Sequence, residues 1–281
     1  MSGATLTYPR VLTIAGSDSG GGAGIQADLK TIAALGCYGM SAITAITAQN
    51  TLGVSAIHEV PVEIVKAQID AVVDDIGADA VKIGMLSSPE IIRTVAQAID
   101  EKHLPHVVLD PVMVSATGAK LIDDGAMASL VAELFSRAQV ITPNLDEAGL
   151  LLGQAITETT QLVAAARALL GQGAQAVLLK GGHLVGAEVV DVLAIRQQAT
   201  GAVELHELQS PRIQTHNLHG SGCTLSSAIA SYLALGLDLP AAVQAARVYV
   251  LAAIEAGMRV QIGKGVGPLN HTHAPQAMKV R

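Results

Sequence analysis

The sequence contains few aromatic residues, few cysteines and no cluster of basic residues. It has no Trp, one Phe and four Tyr among 281 residues, so platforms on which nucleic-acid bases could stack are not expected. The formal net charge is −7 and no block of Lys or Arg occurs, which argues against nucleic acid or an anionic membrane as a partner. Cys37 and Cys223 are too few for a disulfide framework.

Long uninterrupted apolar runs are missing as well. Gly, Asp or Lys breaks the apolar segments before the roughly 18 residues that a membrane-spanning helix requires. No basic start followed by an apolar run marks a secretory signal. We therefore expect a cytoplasmic protein with reduced cysteines and no membrane contact.

Small apolar residues in a regular order are abundant. Half of the residues are hydrophobic and 15% are charged, which predicts one large domain over residues 1–281. Short β-prone runs, such as 11–15, 42–47 and 107–109, alternate with helical patterns, such as 61–76. This order predicts an α/β fold in which a mostly parallel sheet is covered by helices on both faces. Residues 189–195 and 203–208 alternate instead, which predicts antiparallel strands at one end of the sheet.

Polar residues follow several of the predicted strands. Gln49 lies just after strand 42–47, Asp110 follows strand 107–109, and Lys180 follows strand 176–179. In parallel sheets, ligands bind at the carboxyl edge of the strands. The sequence therefore places a candidate site at that edge.

The segment HGSGCTLSSA, residues 219–228, has the order of an anion-binding loop that opens a helix. Gly220 and Gly222 allow the backbone N–H groups around Ser221 to converge, and the helix N-terminus adds positive potential. Cys223 would lie in the first helical turn, where a thiol loses its proton most easily. An ordinary helix start remains the alternative. No Walker-type loop occurs, and the glycines of 16–22 lack the dinucleotide spacing.

The C-terminal segment carries His271 and His273. Without a neighbouring acidic or cysteine partner, these residues indicate a solvated terminus rather than a metal site.

Eight segments in order resemble the ribokinase-like superfamily, and most closely the hydroxymethylpyrimidine/phosphomethylpyrimidine kinases of thiamine biosynthesis. They are AGSDSGGGAGIQADLKT from Ala15, TAQNT from Thr47, KIGML from Lys82, DPVM from Asp110, ITPNLDEA from Ile141, LKGGH from Leu179, HGSGCTLSSA from His219 and GKGVGPLNHTHA from Gly263. The resemblance covers nearly the whole chain. It implies a single three-layer α/β/α sandwich with the active site at the carboxyl edge.

The resemblance also implies roles on the phosphate side of the site. Asn144, Glu147 and Lys180 correspond to nucleotide-binding positions, and Asp110 and Glu147 to positions near Mg²⁺. Gly220, Ser221 and Gly222 would hold the transferred phosphoryl group. Cys223 stands where the wider superfamily usually has an aspartate base, so it could act as a base if the helix N-terminus and Lys180 lower its pKa.

On the acceptor side, Gln49 corresponds to a glutamine that contacts the pyrimidine in the family. The Gln49 amide can donate and accept hydrogen bonds at the same time. The resemblance places four further residues around the same ring: Asp28, Thr47, Met85 and Val112. The family often carries valine where this chain has Thr47.

The implied reaction uses ATP, with Mg²⁺, to phosphorylate 4-amino-5-hydroxymethyl-2-methylpyrimidine and then its monophosphate. Relatives are commonly homodimers. Pyridoxal kinase and a non-catalytic pyrimidine-binding sensor are the alternatives. Segments 115–120 and 182–188 are candidate mobile loops.

Overall fold

The computed structural model describes residues 6–113, 121–122 and 125–281. Nine strands are present in these ranges, and they form one sheet in the order β3-β2-β1-β4-β5-β6-β7-β8-β9. Their bounds are β1 Arg10–Asp18, β2 Tyr38–Asn50, β3 Gly53–Glu59, β4 Ala80–Ile83, β5 Val107–Leu109, β6 Val140–Ile141, β7 Ala176–Leu179, β8 Glu188–Arg196 and β9 Val203–Pro211.

Eight α-helices connect or follow these strands within the described ranges. Their bounds are α1 Gly24–Ala34, α2 Val62–Asp75, α3 Pro89–Glu101, α4 Ala126–Leu134, α5 Leu145–Leu152, α6 Leu162–Gly171, α7 Ser221–Ala234 and α8 Leu239–Gly257. A short 3₁₀ turn at Thr159–Gln161 precedes α6.

The pairing of the strands confirms the mostly parallel sheet. Strands β2, β1, β4, β5, β6 and β7 pair in parallel, whereas β8 and β9 are antiparallel, as the alternation predicted. The other edge is also antiparallel, because β3 folds back on β2. The predicted antiparallel strands at one end are therefore confirmed, and β3 adds an antiparallel strand at the other end that the sequence did not predict. The seven residues of β3 are all at least partly exposed, so they lack the buried alternation that marks a strand in a sequence.

Side chains from the two faces of the strands enter two separate hydrophobic clusters. Leu12 and Ile83 pack with α2, α3, α4 and α6 on one face, and Val11 and Val108 pack with α1, α7 and α8 on the other. This is the predicted three-layer α/β/α sandwich.

Helix α8 is long and apolar enough to cross a membrane, and it is the one such helix in the described ranges. Half of the window that meets these criteria is buried inside the protein. Its buried Arg247 forms an ion pair with Asp191 of β8, at 2.8 Å. These contacts are those of a core helix in a globular domain.

The segment after α8 folds back over the domain, which corrects the expectation of a solvated terminus. Pro268 forms a bridge with His219, and Tyr249 donates its hydroxyl proton to the backbone carbonyl of His271. The His271 side chain is 5% exposed and contacts Thr224 Oγ1 at 3.1 Å. Burial lowers the pKa of His271 to about 4.

Candidate active site

One cavity of about 710 Å³ runs along the carboxyl edge of the sheet. It contains residues from both predicted sides of the site, so Gln49 and Cys223 share one cavity. Of the predicted site residues, twelve line it: Thr47, Gln49, Met85, Asp110, Val112, Asn144, Glu147, Lys180, Gly220, Ser221, Gly222 and Cys223. Asp28 does not.

The glycine-rich turn before α7 contacts a second glycine-rich turn from the start of the chain. Gly220 has φ +81°, and a Cβ on it would lie 1.9 Å from the carbonyl oxygen of Gly22. Any other residue would therefore clash with backbone at this position. The contact fixes the turn where α7, a 14-residue helix, begins at the edge of the cavity with the positive end of its dipole.

Lys180 and Asp110 form a buried ion pair beside this turn. Lys180 Nζ lies 3.0 Å from Asp110 Oδ1, and the Thr142 hydroxyl donates to the same oxygen at 3.0 Å. Burial opposes the charge of Asp110, but Lys180 and Lys82 outweigh it and hold the pKa of Asp110 below its usual value. Lys180 keeps its proton because Asp110 and Glu147 raise its pKa against the effect of burial.

Glu147 stands next to this pair, and no ion pair of its own occurs among the residues that the structure describes. It forms a capping box with Asn144, in which each side chain accepts a hydrogen bond from the other residue's backbone N–H, at 2.8 and 2.9 Å. Burial raises the pKa of Glu147 to about 7, with Lys180 opposing the rise and Asp110 adding to it.

Cys223 lies in the first turn of α7, as predicted, but its acidity is not as predicted. Burial raises the pKa of the thiol to about 11, and the nearby cation that opposes this rise most is Lys82. The condition for a basic thiol, a pKa lowered by the helix N-terminus and Lys180, is therefore not met. Desolvation outweighs both.

Asp28 is fully buried beneath the cavity rather than in it, so the prediction that it contacts a ligand is wrong. Its carboxylate forms an ion pair with Lys82 at 2.9 Å and accepts hydrogen bonds from Thr13 at 2.6 Å and Ser227 at 2.7 Å. Asp28 thus links β1, β4, α1 and α7 beneath the glycine-rich turn before α7. The sequence shows that Asp28 follows the glycine loop, but not how deeply it is buried.

At the other end of the cavity, Gln49 projects from the end of β2. Thr47 Oγ1 lies 3.1 Å from Oε1 of Gln49 and 2.7 Å from the carbonyl oxygen of Ser17. Met85 and Val112 provide apolar surface in the same cavity. A flat ring with one polar edge fits these groups.

Asp18 and His219 were not among the predicted site residues, although both lie in segments that carry the resemblance. Asp18 Oδ2 lies 2.9 Å from His219 Nε2, which itself is 3.5 Å from Nε2 of Gln49. Asp18 also accepts hydrogen bonds from the backbone N–H groups of Gly20, Gly22 and Ala23, at 2.8, 3.0 and 2.8 Å. It therefore organises the first glycine-rich turn and ties it to His219.

Arg212 contacts segment 182–188, which is one of the two candidate mobile loops. The guanidinium donates to the carbonyl oxygens of Gly182 at 2.8 Å, of Gly186 at 2.9 Å, and of Leu184. The other candidate mobile loop, 115–120, lies outside the described residues. Beyond Arg212 the cavity has apolar walls, which include Ile213, Val250 and Ile254.

A glycine-rich loop at a helix N-terminus, next to a buried lysine and two carboxylates at the edge of an α/β/α sheet, defines a ribokinase-like small-molecule kinase. The chain belongs to the phosphomethylpyrimidine kinase family, whose model matches residues 18–270. A hydroxymethylpyrimidine/phosphomethylpyrimidine kinase from Streptomyces coelicolor is 51% identical over 266 residues, which is 95% of each chain.

Two solved structures show the same fold. The phosphomethylpyrimidine kinase from Clostridium difficile 630 is 45% identical, with a TM-score of 0.74 over 87% of this chain and 99% of the other. The Bacillus subtilis pyridoxal kinase in complex with ADP is 37% identical, with a TM-score of 0.84 over 95% of this chain and 98% of the other.

Proposed function

We propose that the protein transfers the γ-phosphoryl group of ATP to the hydroxymethyl oxygen of 4-amino-5-hydroxymethyl-2-methylpyrimidine. It then transfers a second phosphoryl group to the phosphate of the monophosphate product, in thiamine biosynthesis. The observation that carries this proposal is the single cavity with Gln49 at one end and the Lys180–Asp110 pair with the glycine turn at the other. The family of the chain and the names of its relatives support the choice of acceptor.

Gln49 would bind the polar edge of the pyrimidine, because its amide can donate to a ring nitrogen and accept from the exocyclic amine. Met85 and Val112 would contact the ring and its methyl group. Such binding would direct the hydroxymethyl group toward Cys223 and the glycine turn.

The turn and Lys180 would hold the phosphoryl group during transfer. Phosphoryl transfer has a loose transition state with charge on the non-bridging oxygens, so alignment and positive potential contribute most of the acceleration. The backbone N–H groups around Ser221 and Gly222, together with the Lys180 ammonium, supply that potential. Asn144 stands beside them at the start of α5, in reach of the same phosphates.

Mg²⁺ fits the carboxylates of Asp110 and Glu147. No group of three or more His, Cys, Asp or Glu in the described ranges could hold a metal by itself. Mg²⁺ commonly uses one or two carboxylates and takes its other ligands from water and substrate phosphates. A divalent cation here would stabilise the ionised form of Glu147, whose pKa of about 7 reflects its buried, repelled carboxylate. When bound, the ion would neutralise phosphate charge.

Cys223 would stand beside the attacking oxygen. Its thiol is protonated near neutral pH in the ligand-free protein, since its pKa is about 11. It would receive the acceptor's proton only as the thiolate, so a contribution as a base should increase toward alkaline pH.

We further propose that the protein acts in the cytoplasm as a homodimer. The edge hairpin formed by β2 and β3 carries exposed apolar side chains, Ile46, Leu52 and Ile57, which are 53%, 63% and 40% exposed. Light scattering of the purified protein measures the oligomeric state.

Initial rates of ADP formation with the hydroxymethylpyrimidine, its monophosphate and pyridoxal test the proposed activity. We expect both pyrimidines to be preferred over pyridoxal in kcat/KM. Pyridoxal is the second candidate acceptor because of the structural likeness to the Bacillus subtilis enzyme. A preference for pyridoxal would overturn the assignment, and binding of the pyrimidine without any ADP formation would favour the sensor alternative.

A further inference from the structure

A buried ion pair borders the cavity close to Lys180, and the proposed reaction does not use it. Asp191 of β8 and Arg247 of α8 both line the cavity and are 7% and 6% exposed. Arg247 Nε lies 2.8 Å from Asp191 Oδ2. A buried pair of this kind contributes little net stability, because the removal of both charges from water offsets their attraction. Apolar side chains could pack α8 on the sheet equally well.

The second oxygen of the Asp191 carboxylate binds the backbone next to Lys180. The regular pairing of β7 with β8 ends at Leu179. Two residues further on, the N–H of Gly181 donates to Asp191 Oδ1 at 2.8 Å. A Cβ on Gly181 would lie 1.9 Å from the carbonyl oxygen of Val190, so the backbone lies directly against β8 here. The Asp191 side chain thus attaches this segment to β8 beyond the end of the strand pairing.

The backbone of Lys180 is therefore held from two sides. Its own N–H donates to the carbonyl oxygen of Pro143, just after β6, at 3.0 Å, and the next N–H, that of Gly181, donates to Asp191. The Lys180 ammonium lies 3.0 Å from Asp110 Oδ1 in the cavity. A shift of the backbone at Gly181 would move this ammonium, because the two residues are adjacent in the chain.

Arg247 fixes the Asp191 carboxylate in turn. Its Nη2 donates to the carbonyl oxygen of Leu208 at 2.8 Å and lies 3.4 Å from Ser210 Oγ. Both partners belong to β9, so this strand sets the plane of the guanidinium. The guanidinium then binds Oδ2 of Asp191, which leaves Oδ1 for the N–H of Gly181.

We propose that Asp191 and Arg247 are positioning residues for phosphoryl transfer, which act by holding the backbone at Gly181 and with it the Lys180 ammonium. This inference rests on the proposed function, in which Lys180 holds the transferred group, and it deepens that function. Phosphoryl transfer depends on alignment, and a displacement of about 1 Å can lower a rate about 10²-fold.

Two neutral double variants separate this role from a purely structural one. The asparagine form combines Asp191→Asn with Arg247→Met, and the leucine form combines Asp191→Leu with Arg247→Met. Both remove the ion pair, but only asparagine offers an oxygen to the N–H of Gly181. We expect the leucine form to lower kcat about 10- to 100-fold and the asparagine form to stay within about threefold of the wild type. KM for the pyrimidine should stay within about twofold in both, because neither change alters the Gln49 end.

Asp79 provides a matched control at the opposite edge of the sheet. Its carboxylate accepts the backbone N–H of Arg10 at 2.8 Å and pairs with the Arg10 guanidinium at 2.9 Å. Asp79→Leu therefore removes the same two kinds of contact outside the cavity. It should lower the free energy of unfolding and leave kcat unchanged. Urea unfolding of every variant shows that it is folded under the assay conditions, and Asp191→Ala replaces Asp191→Leu if the leucine form does not fold.

The same comparison in a Lys180→Met background tests whether the pair acts through Lys180. There the asparagine and leucine forms should have equal kcat, since effects that act through one group do not add.

Equal kcat of the two forms with Lys180 present would overturn the proposal, and so would a persistent difference between them in the Lys180→Met background. An equal rise in KM for ATP in both forms, with no difference in kcat, would also overturn it and would assign Arg247 to direct contact with the nucleotide. Failure of the proposed function is distinguishable, because then the wild type itself would not phosphorylate the pyrimidine.

Discussion

At the Gln49 end of the cavity, the polar side chains have hydrogen-bond partners within the protein. At the phosphate end, in contrast, the buried carboxylates of Asp110 and Glu147 repel each other. Thr47 Oγ1 donates to the Ser17 carbonyl oxygen and lies 3.1 Å from the Gln49 amide, and His219 Nε2 lies 2.9 Å from Asp18 Oδ2. At the other end, Asp110 pairs with Lys180, and the pKa of the neighbouring Glu147 is raised to about 7.

This difference indicates where each end gains its selectivity. Under the proposed function, the Gln49 end would gain its selectivity from side chains that are held in place before the acceptor binds. Under the proposed function, a nucleotide and a cation would complete the charges of the phosphate end, where the buried Glu147 carboxylate lowers the stability of the protein.

Replacing the lysine should show the largest effect at the phosphate end. We expect Lys180→Met to lower kcat about 10²- to 10³-fold, because a charge that stabilises the transferring group is lost. Asp110 and Glu147 would then repel each other in a buried site, so unfolding measurements should show a loss of about 3–5 kcal/mol. Initial rates and urea unfolding measure the two effects.

Lys102→Met is the matched control, since Lys102 forms a surface ion pair with Asp74 away from the cavity. It should leave kcat unchanged. A Lys180→Met enzyme with more than a tenth of wild-type kcat would contradict the role of this lysine.

Removing the charge of Glu147 should stabilise the ligand-free protein while weakening nucleotide binding. The unfolded chain releases this proton near pH 4.5 and the folded chain near pH 7, so the free energy of unfolding decreases as the pH rises between these values. Glu147→Gln can still complete the capping box, but its side chain does not ionise. The free energy of unfolding of the variant should therefore not decrease over this pH range. At pH 8 the variant should be about 2–3 kcal/mol more stable than the wild type.

Unfolding at pH 5 and pH 8, without nucleotide or divalent cation, measures this difference. At pH 5 the gain should be small, and titration with Mg²⁺–ATP should show weaker binding to the variant. A variant less stable than the wild type at pH 8 would contradict the claim that the ionised Glu147 carboxylate destabilises the protein.

His271 offers a reference outside both ends of the cavity. The pKa of His271 is about 4 in the folded chain, below the ordinary value of 6.5. As the pH falls, His271 therefore binds a proton at a higher pH in the unfolded chain than in the folded chain. The free energy of unfolding should therefore decrease from pH 6.5 toward pH 4, by about 2 kcal/mol at pH 5. His271→Gln should lack this part of the acid dependence. An equally steep dependence in the variant would refute the burial of a neutral histidine.

Cys223→Ala should have the smallest effect, a fall of at least about tenfold in kcat with little change in KM for the pyrimidine, near or below the low end of the roughly 10²- to 10⁴-fold range of general bases because the thiol is mostly protonated. Because the thiol pKa is raised to about 11, the difference from the wild type should grow as the pH rises from 7 to 10. The pH dependence of kcat for both enzymes measures it. Equal turnover at all pH values would remove Cys223 from the chemistry.

Much of the fold could be predicted from the sequence because short buried strands are almost purely apolar. Residues 107–109 and 176–179 have the predicted bounds, and Ser88 caps α3 as its position before Pro89 indicates. Strand β3 could not be found, because its side chains are partly or fully exposed and its pairing depends on β2.

The segments that form the site were predictable, but the environment of individual groups was not. Twelve predicted residues line one cavity because strand ends converge at one edge of the sheet. The depth of Asp28, the raised pKa of Cys223 and the docking of His271 depend on packing between distant segments. A local pattern of residues does not contain that information.

Steady-state kinetics of Gln49→Ala, with the acceptor and ATP varied in turn, test the central claim that the two ends of one cavity bind different substrates. We predict that KM for the hydroxymethylpyrimidine rises about 10- to 100-fold, from the loss of two hydrogen bonds, while KM for ATP stays within about twofold. Equal increases in both constants, or no increase for the pyrimidine, would contradict the claim.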